Sequence, residues 1–369
     1  MSKPIRRIAI NTGGGDAPGL NAVIRAVVLA ALARGWECLG IRDGYNGILS
    51  PERYPDGGTM LLTREKVRGI AHIGGTMLGT SNKGNPLHYP VRQPDGTTVE
   101  MDRSDEIVAG LASLGVDALV AIGGDGSLLI AHALHRKGLR VVSVPKTIDN
   151  DLDRTFTTFG FDTAVSFATE CLDRLHSTAA SHQRVIVVEV MGRYAGWIAL
   201  HAGMAGGAHG ILIPEIPFDI DKLASAVQLR DTCGRPYSII VVAEGAHPAG
   251  GGRAIVAPAG AGRAERLGGI GEQVAAAIEQ RCGKEVRLVV LGHLLRGGSP
   301  TAFDRVAALR FGAAAVRALA DGRSGVMVAL AFPNVAYVAL EEVAGRMKAV
   351  PMDSDTLQTA RDLGICLGD

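Results

Sequence analysis

Aromatic residues are scarce in this chain, 4% of 369, and neither sign of charge prevails: 38 lysines and arginines stand against 37 aspartates and glutamates, for a formal charge of +1. No overall field recruits nucleic acid or a membrane surface, so any anion must be bound by local clusters. Cysteine is sparse and scattered. Cys38, Cys171, Cys233, Cys282 and Cys366 are odd in number and never form Cys-x-x-Cys, which excludes a disulfide framework and a zinc site and leaves reduced thiols. Long apolar runs are missing as well. The longest helical one, around Ala22 to Ala33, is interrupted by Arg25 and is too short to cross a bilayer. The opening Met-Ser-Lys-Pro-Ile-Arg-Arg lacks the apolar region and cleavage site of a secretory signal, so a soluble cytoplasmic protein is expected.

What the chain does have is length, a 47% hydrophobic content and 49 glycines. That is enough to bury two domains or one large α/β unit. Short β-rich runs alternate with Ala-rich helical runs: Arg7 to Asn11 then Leu20 to Arg34, Ala118 to Ile122 then Ser127 to Lys137, and Val185 to Val190 then Ala195 to Ala202. This is the βα alternation of an α/β fold, a mostly parallel sheet with helices on both faces. Ligands bind such sheets at the carboxyl ends of the strands, where the Gly-rich turns fall. Pro248 to Gly269, rich in Gly, Ala and Pro without periodicity, reads as a surface loop.

Three of these strand ends carry chemistry. Pro145-Lys-Thr-Ile-Asp-Asn-Asp151 sets a cation, a hydroxyl and two carboxylates side by side. Asp149 could accept an alcohol's proton, Asp151 could steady the cationic side of the site, and Lys146 and Thr147 could hold phosphate oxygens. A solvated turn is the competing reading, because Asp and Asn are ordinary turn residues. Asn11 to Asn21, with Gly14 and Gly15, follows a strand and opens a helix, a natural seat for phosphate; its glycines do not match the dinucleotide fingerprint. Gly-x-x-x-x-Gly-Lys-[Ser/Thr] occurs nowhere, which removes the P-loop class. In Ile122-Gly-Gly-Asp-Gly-Ser127, Gly123, Gly124 and Gly126 let a polyphosphate approach the backbone, and Asp125 offers a carboxylate to Mg²⁺. Downstream, Arg184, Met191-Gly192-Arg193, Glu244, Arg287 and His293-Leu294-Leu295-Arg296 sit at or near strand ends. Four arginines and a histidine without partnering acidic runs suit a phosphate monoester, while Glu244 could accept sugar hydroxyls.

These strings, in this order, closely resemble the 6-phosphofructokinases over nearly the whole chain: Gly-Gly-Asp-Ala-Pro-Gly-Leu-Asn-Ala (14 to 22), Gly-Gly-Asp-Gly-Ser (123 to 127), Lys-Thr-Ile-Asp-Asn-Asp (146 to 151), Ser-His-Gln-Arg (181 to 184), Glu-Val-Met-Gly-Arg (189 to 193) and Leu-Gly-His-Leu-Leu-Arg-Gly-Gly-Ser-Pro (291 to 300). The resemblance implies two Rossmann-like, doubly wound three-layer lobes with the active site between them. Residues 1–160, completed by about 297–345, would hold the phosphoryl donor; 161–296, completed by 346–369, would hold fructose 6-phosphate. It implies Asp149 as general base on the fructose 1-hydroxyl, supported by Asp151, with Thr147, Lys146 and Arg193 on the transferred phosphoryl group. Gly14, Gly15, Lys83 and Gly124 to Ser127 would contact the donor, and Asp125 would hold Mg²⁺. Thr147, Ile148, Asp149, Met191 to Arg193, Glu244 and His293 to Arg296 would bind the sugar phosphate. Arg184 and Arg287 would reach its 6-phosphate from a neighbouring subunit, which implies a homodimer or homotetramer.

Two positions speak to the donor. By the same resemblance Gly126 goes with ATP, because an Asp there would intrude on the α-phosphate, whereas Lys146 is shared with pyrophosphate users. Gly followed by Lys is the pattern of the mixed-substrate group III clade, whose ATP users carry both, so ATP is the expected donor and pyrophosphate the alternative. Gly79-Thr-Ser-Asn-Lys83 replaces the Arg-Phe pair of ATP enzymes. Arg25 is kept, but Leu29 takes the place of the second effector arginine, which argues against effector control of the regulated bacterial type. Rival readings are a kinase of another ketose and a sensor without activity; the sensor predicts loss of a carboxylate, and Asp125, Asp149 and Asp151 are all present.

Overall fold

The computed structural model describes residues 4–257 and 265–369. Its strands are β1 (Arg7–Thr12), β2 (Glu37–Ile41), β3 (Thr59–Leu62), β4 (Tyr89–Arg92), β5 (Thr98–Met101), β6 (Ala118–Gly123), β7 (Val141–Pro145), β8 (Val185–Val190), β9 (Gly210–Leu212), β10 (Ser238–Ala243), β11 (Ile255–Ala257), β12 (Arg266–Leu267), β13 (Val286–Val290), β14 (Val326–Ala331) and β15 (Asn334–Ala339). The helices are α1 (Leu20–Leu32), α2 (Asn46–Leu49), α3 (Ser104–Ser113), α4 (Asp125–Arg136), α5 (Phe161–His182), α6 (Trp197–Ala205), α7 (Ile220–Thr232), α8 (Ile270–Cys282), α9 (Ala302–Ala320), α10 (Leu340–Val343) and α11 (Asp355–Asp362).

Two sheets organise these elements. The larger runs β15-β14-β7-β6-β1-β2-β3, parallel except for its antiparallel edges β3 and β15. The smaller runs β13-β8-β10-β9 and is parallel throughout. Every residue of β6, β8 and β10 is buried. Strands covered on both faces carry no polar alternation, which is why they read as continuous apolar runs.

Helices α1 and α9 cover one face of the large sheet, with Val23, Val27, Phe311 and Ala315 in that core; Ile107, Leu111, Leu128 and Leu340 fill the other face. Gly312 lets the first two helices touch, since a Cβ there would lie 2.7 Å from the Val23 carbonyl oxygen and 2.8 Å from the Ala26 Cβ. The small sheet is buried between α5, α6 and α11 on one side and α7 and α8 on the other. The chain's last residues return to its edge, where the Ile211 amide donates to the Cys366 carbonyl at 2.9 Å and the Cys366 amide to the His209 carbonyl at 3.0 Å.

The Pro248 to Gly269 reading needs correction. Among its described residues the stretch pairs β11 with β12 as an antiparallel ribbon, while 258–264 lie outside the described residues. Its composition hid two very short strands whose pairing partner supplies the order. No helix among the described residues is long and apolar enough to cross a membrane.

Candidate active site

Because β7, β6 and β1 are neighbours in the large sheet, the loops leaving their carboxyl ends lie side by side. The Gly13 amide donates to the Ile122 carbonyl and the Lys146 amide to the Gly123 carbonyl, each at 2.9 Å. Gly14 sits at φ +77°, a left-handed turn that a Cβ would strain. The loop carrying Lys83 docks on it, through the Thr80 hydroxyl to the Gly14 carbonyl at 2.6 Å and the Gly14 amide to the Ser81 carbonyl at 3.3 Å. Lys83 itself is exposed at that rim. Gly124 precedes α4, so the amides of Asp125, Gly126 and Ser127 form its first turn and have no partner within the helix. Asp125 and Gly126 are exposed, and a Cβ added at Gly126 would meet nothing within 4 Å.

Two cations from different parts of the chain grip the glycine loop. Lys146, 3% exposed, donates to the Gly15 carbonyl, and Arg296 donates to the Asp16 carbonyl at 3.2 Å. Burial, reinforced by the Arg296 charge, lowers the Lys146 ammonium to about 8. Gly15 makes this grip possible, because a Cβ there would lie 2.7 Å from the Arg296 Nη1.

Beside them the chain turns through Thr147 to Asp151. The Thr147 hydroxyl accepts from the Asp149 amide at 3.1 Å, which ties the acid to its own loop. Oδ1 of Asp149 is shielded from solvent and has no protein hydrogen-bond partner. Burial raises the Asp149 carboxyl above the ordinary range, with Glu244 adding to the rise and Arg296, Lys146 and Arg193 opposing it. Asp151 is pushed up to about 7, by burial first and then by the charges of Asp149 and Asp125. The two acids therefore titrate as a pair. A shielded carboxylate among three cations is the equipment of a general base, not of a solvated turn.

The small sheet supplies the opposite wall. Met191 to Arg193 leave β8, Glu244 leaves β10, and the short 3₁₀ turn Gly292–Arg296 follows β13. The Glu244 amide donates to the Val190 carbonyl at 2.9 Å and the Gly245 amide to the Gly192 carbonyl at 3.1 Å, which locks these loops together. Glu244 is raised by burial, while Arg193 pulls it down. Met191 is half-buried and His293 and Leu294 are exposed. Ile148 and Leu295 have buried side chains in the small-sheet core, so only their backbones can face a ligand.

Arg184 and Arg287 are elsewhere. Arg184 precedes β8 and Arg287 is the second residue of β13, at the amino ends of strands whose carboxyl ends bear the site. A six-residue strand is about 20 Å long, so neither reaches this chain's own Asp149. Nor are they free of acidic partners: Glu285 takes Arg184 at 2.6 Å and also pairs with Arg287. Glu285 left no mark in the sequence because the parallel pairing of edge strand β13 with β8 brings it beside Arg184 across 101 positions.

Other participants carried no sequence signal. Tyr194 has the Arg193 guanidinium 5.9 Å from its ring and that of Arg253 at 4.6 Å. Lys348, 198 positions from Asn150, donates to its side-chain oxygen at 2.9 Å. Among the described residues no three His, Cys, Asp or Glu side chains cluster tightly enough to hold a metal by themselves.

A family model described as phosphofructokinase matches residues 7–319. The chain is 51% identical over 369 residues to a Chloroflexus aggregans protein named ATP-dependent 6-phosphofructokinase, covering 100% of this chain and 99% of that one. It is also 51% identical over 350 residues to an Amycolatopsis mediterranei protein named pyrophosphate–fructose 6-phosphate 1-phosphotransferase, covering 94% and 97%. The solved structure of Pichia pastoris phosphofructokinase in the T-state superposes with a TM-score of 0.78 at 30% identity, over 98% of this chain and 37% of that one.

Proposed function

Since this chain belongs to the phosphofructokinase family, we propose that it transfers the γ-phosphoryl group of ATP to the 1-hydroxyl of fructose 6-phosphate, yielding fructose 1,6-bisphosphate as a cytoplasmic step of glycolysis. The observation that carries this reading is Asp149: a shielded, unpartnered carboxylate oxygen beside Lys146, Arg193 and Arg296, where the carboxyl ends of two sheets face each other.

In this reading the large-sheet lobe, 1–160 with about 297–345, holds the donor, and 161–296 with 346–369 holds the sugar phosphate. The first-turn amides of α4 and the Gly14–Gly15 backbone receive the donor phosphates. The residues present fit Mg²⁺, which is commonly held by one or two carboxylates together with substrate phosphates. Asp125 is exposed beside the free amides, and a cation there would relieve the repulsion that holds Asp151 up. When bound, the ion neutralises charge developing on the transferred phosphate. Asp149 accepts the 1-hydroxyl proton at Oδ1 as the oxygen attacks, and Asp151 holds the loop's electrostatic balance. Lys146, Thr147 and Arg193 orient and stabilise the moving phosphoryl group. Glu244, His293, Arg296 and the Met191 to Arg193 loop bind the sugar phosphate, and Arg184 and Arg287 serve the 6-phosphate in a partner subunit's site.

Pyrophosphate is the second reading, supported by Lys146 at the donor face and by the equal likeness to the Amycolatopsis protein. A coupled assay with fructose 6-phosphate, run in parallel with ATP and pyrophosphate, decides between them. Turnover with ATP at least tenfold faster than with pyrophosphate supports the first reading. Turnover with neither donor sinks both.

A further inference from the structure

Lys348 lies in the segment between α10 and α11, outside every loop that forms the site. Its ammonium is largely buried and spends all three N–H bonds on the segment just after Asp149: Asn150 Oδ1 at 2.9 Å, the Thr155 carbonyl at 3.0 Å and the Phe156 carbonyl at 3.1 Å. The backbone repeats the join. The Lys348 amide donates to the Asp151 carbonyl at 2.8 Å, and Met347 bridges Leu152. On its other side the Lys348 carbonyl accepts the Trp197 indole N–H at 2.8 Å, the ammonium sits 5.6 Å from that ring, and the Val350 amide donates to Glu215 at 2.8 Å. Trp197 opens α6, which covers the small sheet.

The contacts are therefore a strut between the carboxylate loop of one lobe and the first helix turn after β8 of the other. Asn150 sits at φ +52°, a left-handed conformation that its side chain's bonds to Lys348 and to the Thr158 amide (3.2 Å) hold in place. Asn150 separates the two acids, so whatever fixes its backbone fixes the direction of both. The titratable neighbours of the ammonium are Asp151 and Asp153 on the loop and His201 on α6, whose imidazole burial and the ammonium itself hold below its ordinary pKa.

We propose that Lys348 is a positioning residue for phosphoryl transfer, its ammonium clamping the 150–156 segment to α6 so that Asp149 and Asp151 keep their aim and a cation stays beside the pair. This rests on the function proposed above. Removing the charge takes the ammonium donor from the Thr155 and Phe156 carbonyls and leaves the Asn150 side-chain oxygen only the Thr158 amide, and a loop displaced by about 1 Å can cost on the order of a hundredfold in rate.

The test compares wild type, Lys348→Met and Lys348→Arg in the full chain. Lys348→Met is expected to lower kcat by about a hundredfold with KM for the donor within about threefold. Its acidic limb of kcat should move to higher pH by about half a unit or more, because the pair loses a favourable charge. Lys348→Arg should recover at least tenfold of the loss, and amide exchange across 150–156 should quicken in Lys348→Met while exchange in β1 and β6 is unchanged. A Lys348→Met protein with wild-type exchange across 150–156 overturns the clamp. Lowered kcat with an unmoved acidic limb and no rescue by Arg leaves Lys348 a packing residue and also overturns it. Wild type inactive on fructose 6-phosphate sinks the proposed function instead, and the exchange comparison still decides the clamp.

Discussion

Asp149 is expected to set the rate and the acidic limit of turnover. A base must be ionised to act, and burial holds its carboxyl above the ordinary range while Asp151 is pushed up to about 7. The base gains its charge only as pH rises through that raised range, so kcat should fall with falling pH at values above the usual carboxylate pKa of about 4. Asp149→Asn should cut kcat roughly a thousandfold or more with little change in substrate binding, because only proton acceptance is removed. Steady-state kinetics that retain more than about a tenth of kcat would take Asp149 out of the base role. Gly126 permits an equally clean test of the donor. A Cβ there meets nothing within 4 Å and the position is exposed, so Gly126→Asp should leave the fold alone and act on the ligand. Its carboxylate would face donor phosphates, and the rate with ATP should drop by at least tenfold while melting temperature stays within about 2 °C.

Between elements, the join that holds the two sheets in register at the start of α5 and α9 runs through one buried acid. Asp304 accepts from the Thr163 amide at 2.7 Å and the Thr163 hydroxyl at 2.6 Å, and that hydroxyl accepts the Thr301 amide at 3.0 Å. Burial pushes Asp304 up to about 6, above its ordinary 3.8. A carboxyl raised in the folded state favours folding when protonated, so its contribution declines as pH climbs from about 4 through 6. Above that window the hydroxyl of Thr163 supports a charge. Thr163→Val should therefore cost about 1 to 3 kcal/mol, and more at pH 8 than at pH 5; denaturant melts at the two pH values that give equal losses would refute this. None of this join could be read from the chain, whereas the strands on either side could. Val185 to Val190 and Ile239 to Ala243 announce themselves because both faces are buried, and the glycine loops because they end such runs. Lys348, Glu285 and the ribbon of β11 and β12 left no local mark, since their partners lie far along the chain or in a pairing too short for periodicity.

At the scale of the whole molecule, the carboxyl ends of both sheets converge on Asp149 while Arg184, half-buried before β8, and Arg287, exposed on the edge strand β13, stand at the far end of the smaller sheet and are held by Glu285. Three residues with that much charge at a sheet edge contribute little to stability as surface pairs. In the function proposed above they serve a second copy's site, which a symmetric dimer would reach twice over. Arg184→Ala or Arg287→Ala should raise the sugar-phosphate KM strongly, each losing a charge-assisted contact, while kcat changes less. Complementation separates this from an indirect effect. In a dimer that shares its sites, a chain with Asp149→Asn still lends its arginines, and a chain with Arg184→Ala still lends its base. A mixed pair then has one site lacking both groups and one site intact. Co-expressed in equal amounts and assayed at sugar-phosphate levels where either variant alone is silent, the two should recover about a quarter of wild-type activity, from random pairing with one working site per hybrid. Hybrids isolated by differential tagging that show no activity would confine the arginines to their own chain, and a fully active monomer in sedimentation would do the same.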